Sequence, residues 1–312
     1  MESQEIAAFK AFCKNIVTQI LMLVIGVWLG SLLALLSEKV FNYFKRSNLH
    51  KALNNKDYNM VINILEEQIV NNQKRELSSS ISKMIKHFGF NDQSFKNPMQ
   101  SMDKIVVCIH AFTDNKSLAE QLIRNTRRVI IRDYIEYLKN WINKRHESSP
   151  DKGLLIKIYH AIAFILTAHC DGNMKAAEFC ILQSMQFSFK LLELDREVHE
   201  ILNNIINIQN LNEKTVLQNK DQLIKSIQNY FKDEKEQEQL LDTVLFTIVI
   251  DARITLNELK IIDEIACNWD INKWKKQAKK NLMESGSLIL DENDKPINTL
   301  DYYDSKSGSF FN

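Results

Sequence analysis

Glycine and proline are scarce in this chain. Its 312 residues include only 7 glycines and 3 prolines, where average usage would give about 22 and 16. No glycine lies between Gly30 and Gly89, or between Gly172 and Gly286. Tight β-hairpins depend on glycine-containing turns, so these gaps argue against a β-rich fold. The sequence therefore predicts an all-α protein, in which long helices are joined by short polar loops.

Strong net charge and familiar catalytic motifs are also missing. The formal net charge is +1, and we expect no nucleic-acid partner because no uniform basic character is present. The five cysteines form no C-x-x-C pair, which argues against a zinc site and favours buried thiols in a reducing compartment. The sequence has no phosphate-binding loop, no nucleophile elbow and no H-E-x-x-H motif. We therefore expect neither enzymatic activity nor an organic cofactor.

One long apolar run is present near the N-terminus. Residues 16–36 read IVTQILMLVIGVWLGSLLALL without a charge, about the length that crosses a bilayer. The alternatives are a buried helix and a cleaved signal peptide, whose apolar core is shorter. Lysine and arginine are more frequent after the run than before it, so the positive-inside rule places the body in the cytoplasm. We expect a single-pass inner-membrane protein with its N-terminus outside.

The anchor carries two small residues on one face. Gly26 and Gly30 are four residues apart, a spacing that lets two membrane helices approach closely. This spacing predicts a dimer contact within the membrane, so a homodimer or a larger oligomer is expected.

The remaining sequence divides at polar breaks. We predict a short tail at 1–15, a transmembrane helix at 16–37, a juxtamembrane helical region at 38–90, a helical domain at 101–284 and a flexible tail at 285–312. A helical hairpin is expected at 49–70, with the polar turn Asn54-Asn55-Lys56-Asp57 between its arms. The apolar stretch after Gly153 is too short to span a bilayer and predicts the central core helix of the domain.

A predicted helix at 115–145 carries a group of arginines. Its apolar residues recur at helical spacing, and four arginines lie close together in its first half: Arg124, Arg127, Arg128 and Arg132. One interpretation is a solvated helix face. The functional alternative is a surface that contacts lipid phosphates or an acidic protein partner.

An internal repeat covers 165–185 and 245–265. The first copy reads ILTAHCDGNMKAAEFCILQSM and the second LFTIVIDARITLNELKIIDEI. With an offset of 80 residues, Thr167 aligns with Thr247, while the acidic pairs are Asp171 with Asp251 and Glu178 with Glu258. Each copy predicts an apolar helix ending at an aspartate, a short loop, and a helix with a glutamate in its early turn. Negative charge is favourable at a helix N-terminus.

The repeated pattern of apolar helix, Asp, short loop, Glu and apolar helix resembles the TerB-like domain of tellurite-resistance proteins. The resemblance covers roughly 101–284 and implies a pseudosymmetric helical bundle. It also implies divalent-metal binding, for example of calcium, by Asp171, Glu178, Asp251 and Glu258. The alternative from the residues themselves is that these acids cap helices and pair with basic side chains such as Arg253, since arginine beside a carboxylate opposes a cation.

The expected function is a membrane-tethered, non-enzymatic interaction or scaffold module at the cytoplasmic face. The TerB resemblance implies a role in a stress-response or phage-defence system. The N-terminal layout is similar to membrane-anchored DnaJ-like proteins, but no His-Pro-Asp tripeptide and hence no J domain is present. Two alternatives remain open: a divalent-metal-responsive sensor, and a subunit of an envelope-spanning complex. The expected partners are membrane lipid and other proteins.

Overall fold

The computed structural model describes residues 48–88, 98–170, 176–191, 195–208, 211–250, 253–285, 288–290 and 295–297. Residues 48–54 are helical. The helices that follow are α1 (Tyr58–Val70), α2 (Lys74–His87), α3 (Pro98–Phe112), α4 (Lys116–Arg145), α5 (Pro150–Ala168), α6 (Ala176–Ser188), α7 (Asp195–Ile201), α8 (Glu213–Gln218), α9 (Lys220–Tyr230), α10 (Glu234–Val249), α11 (Leu256–Ala266) and α12 (Asn272–Ser285). The strands are β1 (Arg253–Thr255), β2 (Leu288–Leu290) and β3 (Pro296–Ile297). The prediction of a mainly helical protein is confirmed.

The chain forms two compact units, 1–64 and 65–312. The described part of the first unit contains the predicted hairpin turn. Lys56 adopts a left-handed backbone with φ 56°, and the Asp57 carboxylate accepts a hydrogen bond from the Met60 backbone N–H at 3.1 Å. Aspartate in this position satisfies an N–H group that the helix itself leaves unpaired. The polar turn therefore ends one helical arm and starts α1.

The core of the second unit is built around α5. Its side chains are buried almost without interruption from Leu155 to Ala168, apart from Lys157. The helix begins with Pro150 in its first turn, where the missing N–H of proline carries no cost. Helices α4, α6 and α10 pack against it, together with shorter contacts from α7, α8, α9 and α11. The prediction of a central core helix after Gly153 is confirmed.

Helix α4 is the longest described element. Asn115 caps it by accepting hydrogen bonds from Ser117 N–H and Leu118 N–H at 3.0 and 3.2 Å. One face packs on α5, and its flanks contact α2, α3 and α6. The buried residues recur every three or four positions along its length, from Ala119 to Ile142, as expected for an amphipathic helix. The opposite face of α4 is left for solvent and for its basic side chains.

A small three-stranded sheet lies beyond α10. β1 pairs in parallel with β2, with Ile254 opposite Ile289, and β2 pairs antiparallel with β3. Ile254, Ile289 and Leu290 are buried. The predicted tail at 285–312 thus contains two short strands, which the sequence did not indicate because their partners are supplied by the tertiary fold. Strand pairing of this kind depends on context more than on local propensity.

Amphipathic spacing in the sequence predicts one helix at about 213–231, but the structure divides this segment into α8 and α9. The Asn219 side chain donates to the Thr215 carbonyl at 2.8 Å, and its backbone N–H bonds the Val216 carbonyl. Asparagine competes in this way with regular helical hydrogen bonding. Amphipathic spacing also predicts one helix at about 195–208. In the structure, α7 passes there into a π-helical turn, Leu202–Ile206, that ends at Asn207 with φ 60°.

Two predictions concern residues before 48. The membrane helix at 16–37 and the Gly26/Gly30 contact lie outside the described residues. Over the part of the chain that the structure describes, no helix has both the length and the apolar character needed to cross a bilayer.

Candidate functional site

The two copies of the repeat have the same local structure. At the end of α5, the Thr167 hydroxyl donates to the Ala163 carbonyl at 2.8 Å, and at the end of α10 the Thr247 hydroxyl donates to the Thr243 carbonyl at 2.9 Å. The glutamates that follow, Glu178 and Glu258, lie in the first turns of α6 and α11, and each is only 1% exposed. The 80-residue repeat is therefore structural as well as sequential.

The two repeat helices run in the same direction. Near their starts, Lys152 Nζ of α5 lies 3.4 Å from Glu236 Oε1 of α10. Further along, His160 Nδ1 of α5 lies 2.9 Å from Thr243 Oγ1 of α10. Because α5 and α10 are parallel and in register, both motif loops follow them at one end of the bundle. We call this the loop end, defined by Ala168 of α5 and Val249 of α10.

The structure describes two of the four acidic positions predicted to bind metal, Glu178 and Glu258. Glu258 accepts a hydrogen bond from Thr255 N–H at 2.6 Å, and Thr255 Oγ1 accepts one from Glu258 N–H at 3.2 Å. This reciprocal pair is a capping box, as the capping interpretation predicted for Glu258. Asp171 and Asp251 lie outside the described residues. Within the described ranges, no three His, Cys, Asp or Glu side chains are placed to hold a metal ion together, and metal binding by the quartet stays a prediction.

The arginines of α4 also lie at the loop end. Helix α4 runs antiparallel to α10: Arg145 Nη2 pairs with Asp233 Oδ1 at 2.6 Å near the start of α10, and the Tyr134 and Phe246 rings stack at 3.9 Å near its end. At 1.5 Å per residue, the positions before Tyr134 continue past the end of α10. Arg124, Arg127 and Arg128 therefore lie at the level of the motif loops and of β1.

Arg132 differs from the other three arginines. Its guanidinium pairs with Asp133 at 2.7 Å and donates to the Ser78 hydroxyl at 2.8 Å and the Ser82 hydroxyl at 3.2 Å. Both serines belong to α2, so Arg132 fastens α2 against α4. Most of its donors are used within the fold, and the predicted contact of Arg132 with a partner or lipid stays a prediction.

The remaining three arginines form what we call the arginine face: Arg124, Arg127 and Arg128. Within the described ranges, none of them makes an ion pair. Residues 116–133 contain five basic side chains and two acidic side chains, a net charge of +3, whereas the whole chain carries +1. Positive charge is thus concentrated and unneutralised at this surface. Unpaired arginines offer planar donor groups suited to carboxylate or phosphate.

The arginine face borders three depressions. A cavity of about 450 Å³ lies between α2 and α4, one of about 410 Å³ lies on the first turns of α4, and one of about 340 Å³ lies between α4 and α6. Arg128 lines all three, and Arg124 lines two. The third depression, which we call the α4–α6 groove, combines arginines with an apolar floor that includes Ile123, Ile131 and Ala177.

Arg127, one of the residues that line this groove, also carries a buried donor. Its Nε is shielded from solvent and has no hydrogen-bond partner. A buried polar group left without a partner costs about 1–3 kcal/mol. The α4–α6 groove combines arginine side chains with an apolar floor, so its chemistry suits an anionic ligand that also presents an apolar group.

A buried polar network joins α4, α5 and α10, and sequence reasoning missed it. The Thr243 hydroxyl donates to the Gln239 carbonyl at 3.1 Å, so it accepts from Tyr134 OH at 3.0 Å and from His160 Nδ1–H at 2.9 Å. Burial lowers the pKa of His160 from 6.5 to about 3, which keeps the imidazole neutral. Burial also raises the pKa of Tyr134 well above 10.0. No local pattern predicts contacts across 83 and 109 residues.

A second cluster holds the opposite end of α5 and α10. Glu236, 4% exposed, lies within 3.4 Å of Arg145 Nε and Lys152 Nζ, and 3.1 Å from His146 Nε2. Burial is the larger influence on His146 and lowers its pKa despite the nearby carboxylate. Glu236 and Asp233, which also pairs with Arg145, together offset the charges of Arg145 and Lys152, so this cluster is a structural clamp between helices.

The chain gives no match in comparisons with protein-family models, with curated proteins or with solved structures. The functional assignment is therefore made from the geometry of the loop end.

Proposed function

We propose that this protein is a non-enzymatic interaction module that binds acidic segments of protein partners through its arginine face. The observation that carries the proposal is that Arg124, Arg127 and Arg128 have no ion pair within the described ranges, while Arg132 on the same helix pairs with Asp133 and donates to the Ser78 hydroxyl. A solvated face of an amphipathic helix commonly carries mixed charge. Three unneutralised arginines around concave depressions fit a recognition surface better.

Concavity favours a protein partner over a lipid surface. The depressions on α4 have volumes of about 340 to 450 Å³, and one has an apolar floor. Peptide segments insert side chains into such grooves, whereas lipid headgroups engage basic residues along a surface and within a Debye length of it. Arginine is also enriched at the energetic centres of protein interfaces.

The proposal includes attachment to the inner membrane. Its support is the uncharged run at 16–36 and the lysines and arginines that follow it. Tethering would raise the effective concentration of the arginine face near membrane-bound partners. The resemblance of the repeat to TerB-like domains adds a stress-response or phage-defence setting to the proposal.

Co-purification of the full chain in mild detergent tests the arginine face. We expect R124E/R127E/R128E to lose acidic partners that the unaltered chain retains, because charge reversal replaces attraction by repulsion. The matched control is K225E/K273E/K276E, which makes the same charge change at exposed lysines of α9 and α12. Equal recovery of the same partners with both triple variants would refute the proposal, provided that thermal melts show both variants folded.

Deletion of residues 1–37 tests the tether separately. The shortened chain should leave the membrane fraction and recover fewer membrane-associated partners. Undiminished recovery of the same partners would show that the anchor plays no part in binding.

A further inference from the structure

A fourth depression lies between α2 and α4, towards the end of α4 that is remote from the arginine face. Its volume is about 590 Å³, within the range of small-molecule sites. Trp141 of this depression follows Arg124 by 17 residues, so about 25 Å of helix separates the two surfaces. We call the depression the tryptophan cleft and define it by six of its lining residues: Ile85, Lys86, Tyr137, Asn140, Trp141 and Lys144.

One side of the tryptophan cleft is aromatic. Tyr137 and Trp141 are four residues apart on α4, so both side chains lie on the same face of the helix, and both are partly exposed. The Tyr137 hydroxyl donates to Gln239 Oε1 at 3.5 Å, and the guanidinium carbon of Arg145 lies 5.6 Å from the centroid of the Trp141 ring. The buried side chain of Ile85 adds apolar surface from α2. The cleft therefore offers fixed aromatic surface to a planar ring.

The two carboxylates that border the cleft are already paired. Arg132 Nη2 lies 2.7 Å from Asp133 Oδ1, and Lys139 Nζ lies 3.3 Å from Glu136 Oε2. Both acidic side chains line the cleft, and their charges are offset by these neighbours. Positive charge on the other lining residues is therefore left over.

Four side chains of the cleft have no polar partner in the described part of the chain. Lys86 and Lys144 make no ion pair, and the side chains of Asn140 and Trp141 make no hydrogen bond. The two lysines are exposed and border the cleft from different helices. Ammonium groups bind phosphate as point charges, and an asparagine amide offers both a donor and an acceptor. The cleft thus brings together aromatic surface, an amide and two unpaired cations.

We infer that the tryptophan cleft binds a free nucleotide, with its base against Tyr137 and Trp141 and its phosphates at Lys86 and Lys144. Bases stack on aromatic side chains, and their edges carry donors and acceptors that the Asn140 amide can meet. Inorganic phosphate alone would leave the aromatic surface unused. The sequence has no phosphate-binding loop, so the inference concerns binding and includes no chemical step. It is independent of the proposed function, because it uses no residue of the arginine face.

Isothermal titration calorimetry of the full chain in detergent, with ATP as the probe, tests the inference. Trp141→Leu should weaken ATP binding about 5- to 150-fold, the effect of losing one base–aromatic stack. K86Q/K144Q should weaken it about tenfold, the effect of losing two exposed charge pairs. The matched control K225Q/K276Q removes the same charge at exposed lysines outside the cleft and should bind ATP as the unaltered chain does.

Two fragments of ATP separate the two halves of the site. Adenosine and tripolyphosphate should each bind at least about tenfold more weakly than ATP, because each supplies only one of the two contacts. Adenosine binding as tight as that of ATP would overturn the phosphate contact at the lysines. Tripolyphosphate binding as tight as that of ATP would overturn the contact of the base with the aromatic side chains.

Other outcomes overturn the whole inference. Absence of heat at millimolar ATP would show that the cleft takes no nucleotide. Equal ATP affinity of K86Q/K144Q and K225Q/K276Q would place the binding elsewhere, and this comparison holds even where melts show that Trp141→Leu is unfolded, since Lys86 and Lys144 are exposed. Tighter binding of single-stranded oligo(dT) than of ATP, weakened by K86Q/K144Q, would assign the cleft to nucleic acid instead of a free nucleotide.

Discussion

Thr243 holds three helices together through one hydroxyl group. It accepts hydrogen bonds from Tyr134 and His160 while donating to its own helix. Thr247, one turn later, is equally buried, and among the described residues it bonds only within its own helix. Substituting each threonine in turn therefore separates the free energy contributed by the network from that contributed by a buried threonine with a local hydrogen bond.

Thr243→Val should destabilise the protein by about 2 kcal/mol, because it leaves the buried His160 Nδ1–H without this acceptor and removes one hydrogen bond from Tyr134. Thr247→Val, the matched control, should cost about 1 kcal/mol or less, since it deletes only a local bond. Urea unfolding monitored by circular dichroism measures both. Similar costs for the two variants would contradict the assigned network.

His160 makes stability depend on acidity. Its pKa is lowered on folding from 6.5 to about 3. Below pH 6.5, His160 is therefore protonated in the unfolded chain but remains neutral in the native chain. Stability is then unaffected above pH 6.5 and falls by up to about 1.4 kcal/mol per pH unit as the pH drops towards 3. His160→Asn should remove this part of the slope. His199→Asn, at an exposed position, should retain it, and identical slopes in both variants would refute the role of His160.

Helix α11 depends on the capping box of Thr255 and Glu258. Glu258→Ala should lower stability by about 1–2 kcal/mol. Glu258→Gln should lower it less, because glutamine also fits the capping box. Thermal melts with millimolar calcium and with chelator complete the test. Calcium-dependent stability in the unaltered chain, lost in both variants, would favour metal binding by the acidic quartet over capping.

Elements with strong periodicity are predictable from this sequence. The bounds of α4, α5 and α10 follow from apolar spacing and from capping residues such as Asn115 and Asp233, whose side chains accept from the first-turn N–H groups. The short strands β2 and β3 were missed, because they form only when β1 offers a partner across the intervening α11 and α12. The split at Asn219 was missed because its side-chain bond to Thr215 competes with a helix that the pattern otherwise favours.

The candidate site was predictable only in part. Four arginines on one helix necessarily lie close together, so their grouping is visible in the sequence. Their separation into engaged Arg132 and unpaired Arg124, Arg127 and Arg128 is not, because it depends on Ser78 and Ser82 of α2. The apolar floor of the α4–α6 groove likewise needs the packing of α6. The repeat predicts that Glu178 and Glu258 occupy equivalent positions, and the fold buries both to the same degree.

At the scale of the whole molecule, one end of the second unit concentrates its distinctive chemistry. Parallel α5 and α10 bring both motif loops to the loop end, and antiparallel α4 adds the arginine face there. The opposite end is neutralised by the Glu236 cluster. This uneven distribution of charge between the two ends explains how a chain of net charge +1 presents a local basic surface.

Binding through such a surface should be sensitive to salt. Exposed charge pairs are screened within about 10 Å at an ionic strength of 0.1 M, so partners held by the arginine face should elute as salt is raised. Elution profiles of captured partners from the unaltered chain measure this. Retention that is independent of salt would indicate an apolar interface elsewhere on the protein.

Four single substitutions on α4 test the central claim most directly, with partner recovery and melting temperature measured side by side. Arg124→Gln, Arg127→Gln and Arg128→Gln should reduce partner recovery. The substitutions at the exposed Arg124 and Arg128 should also leave the melting temperature nearly unchanged, because these guanidinium groups have no ion pair in the described fold. Arg132→Gln should lower the melting temperature and leave recovery nearly unchanged, because its bonds hold α2 on α4. The reverse pattern, or equal recovery by all four variants, would contradict the assignment of the arginine face as the binding surface.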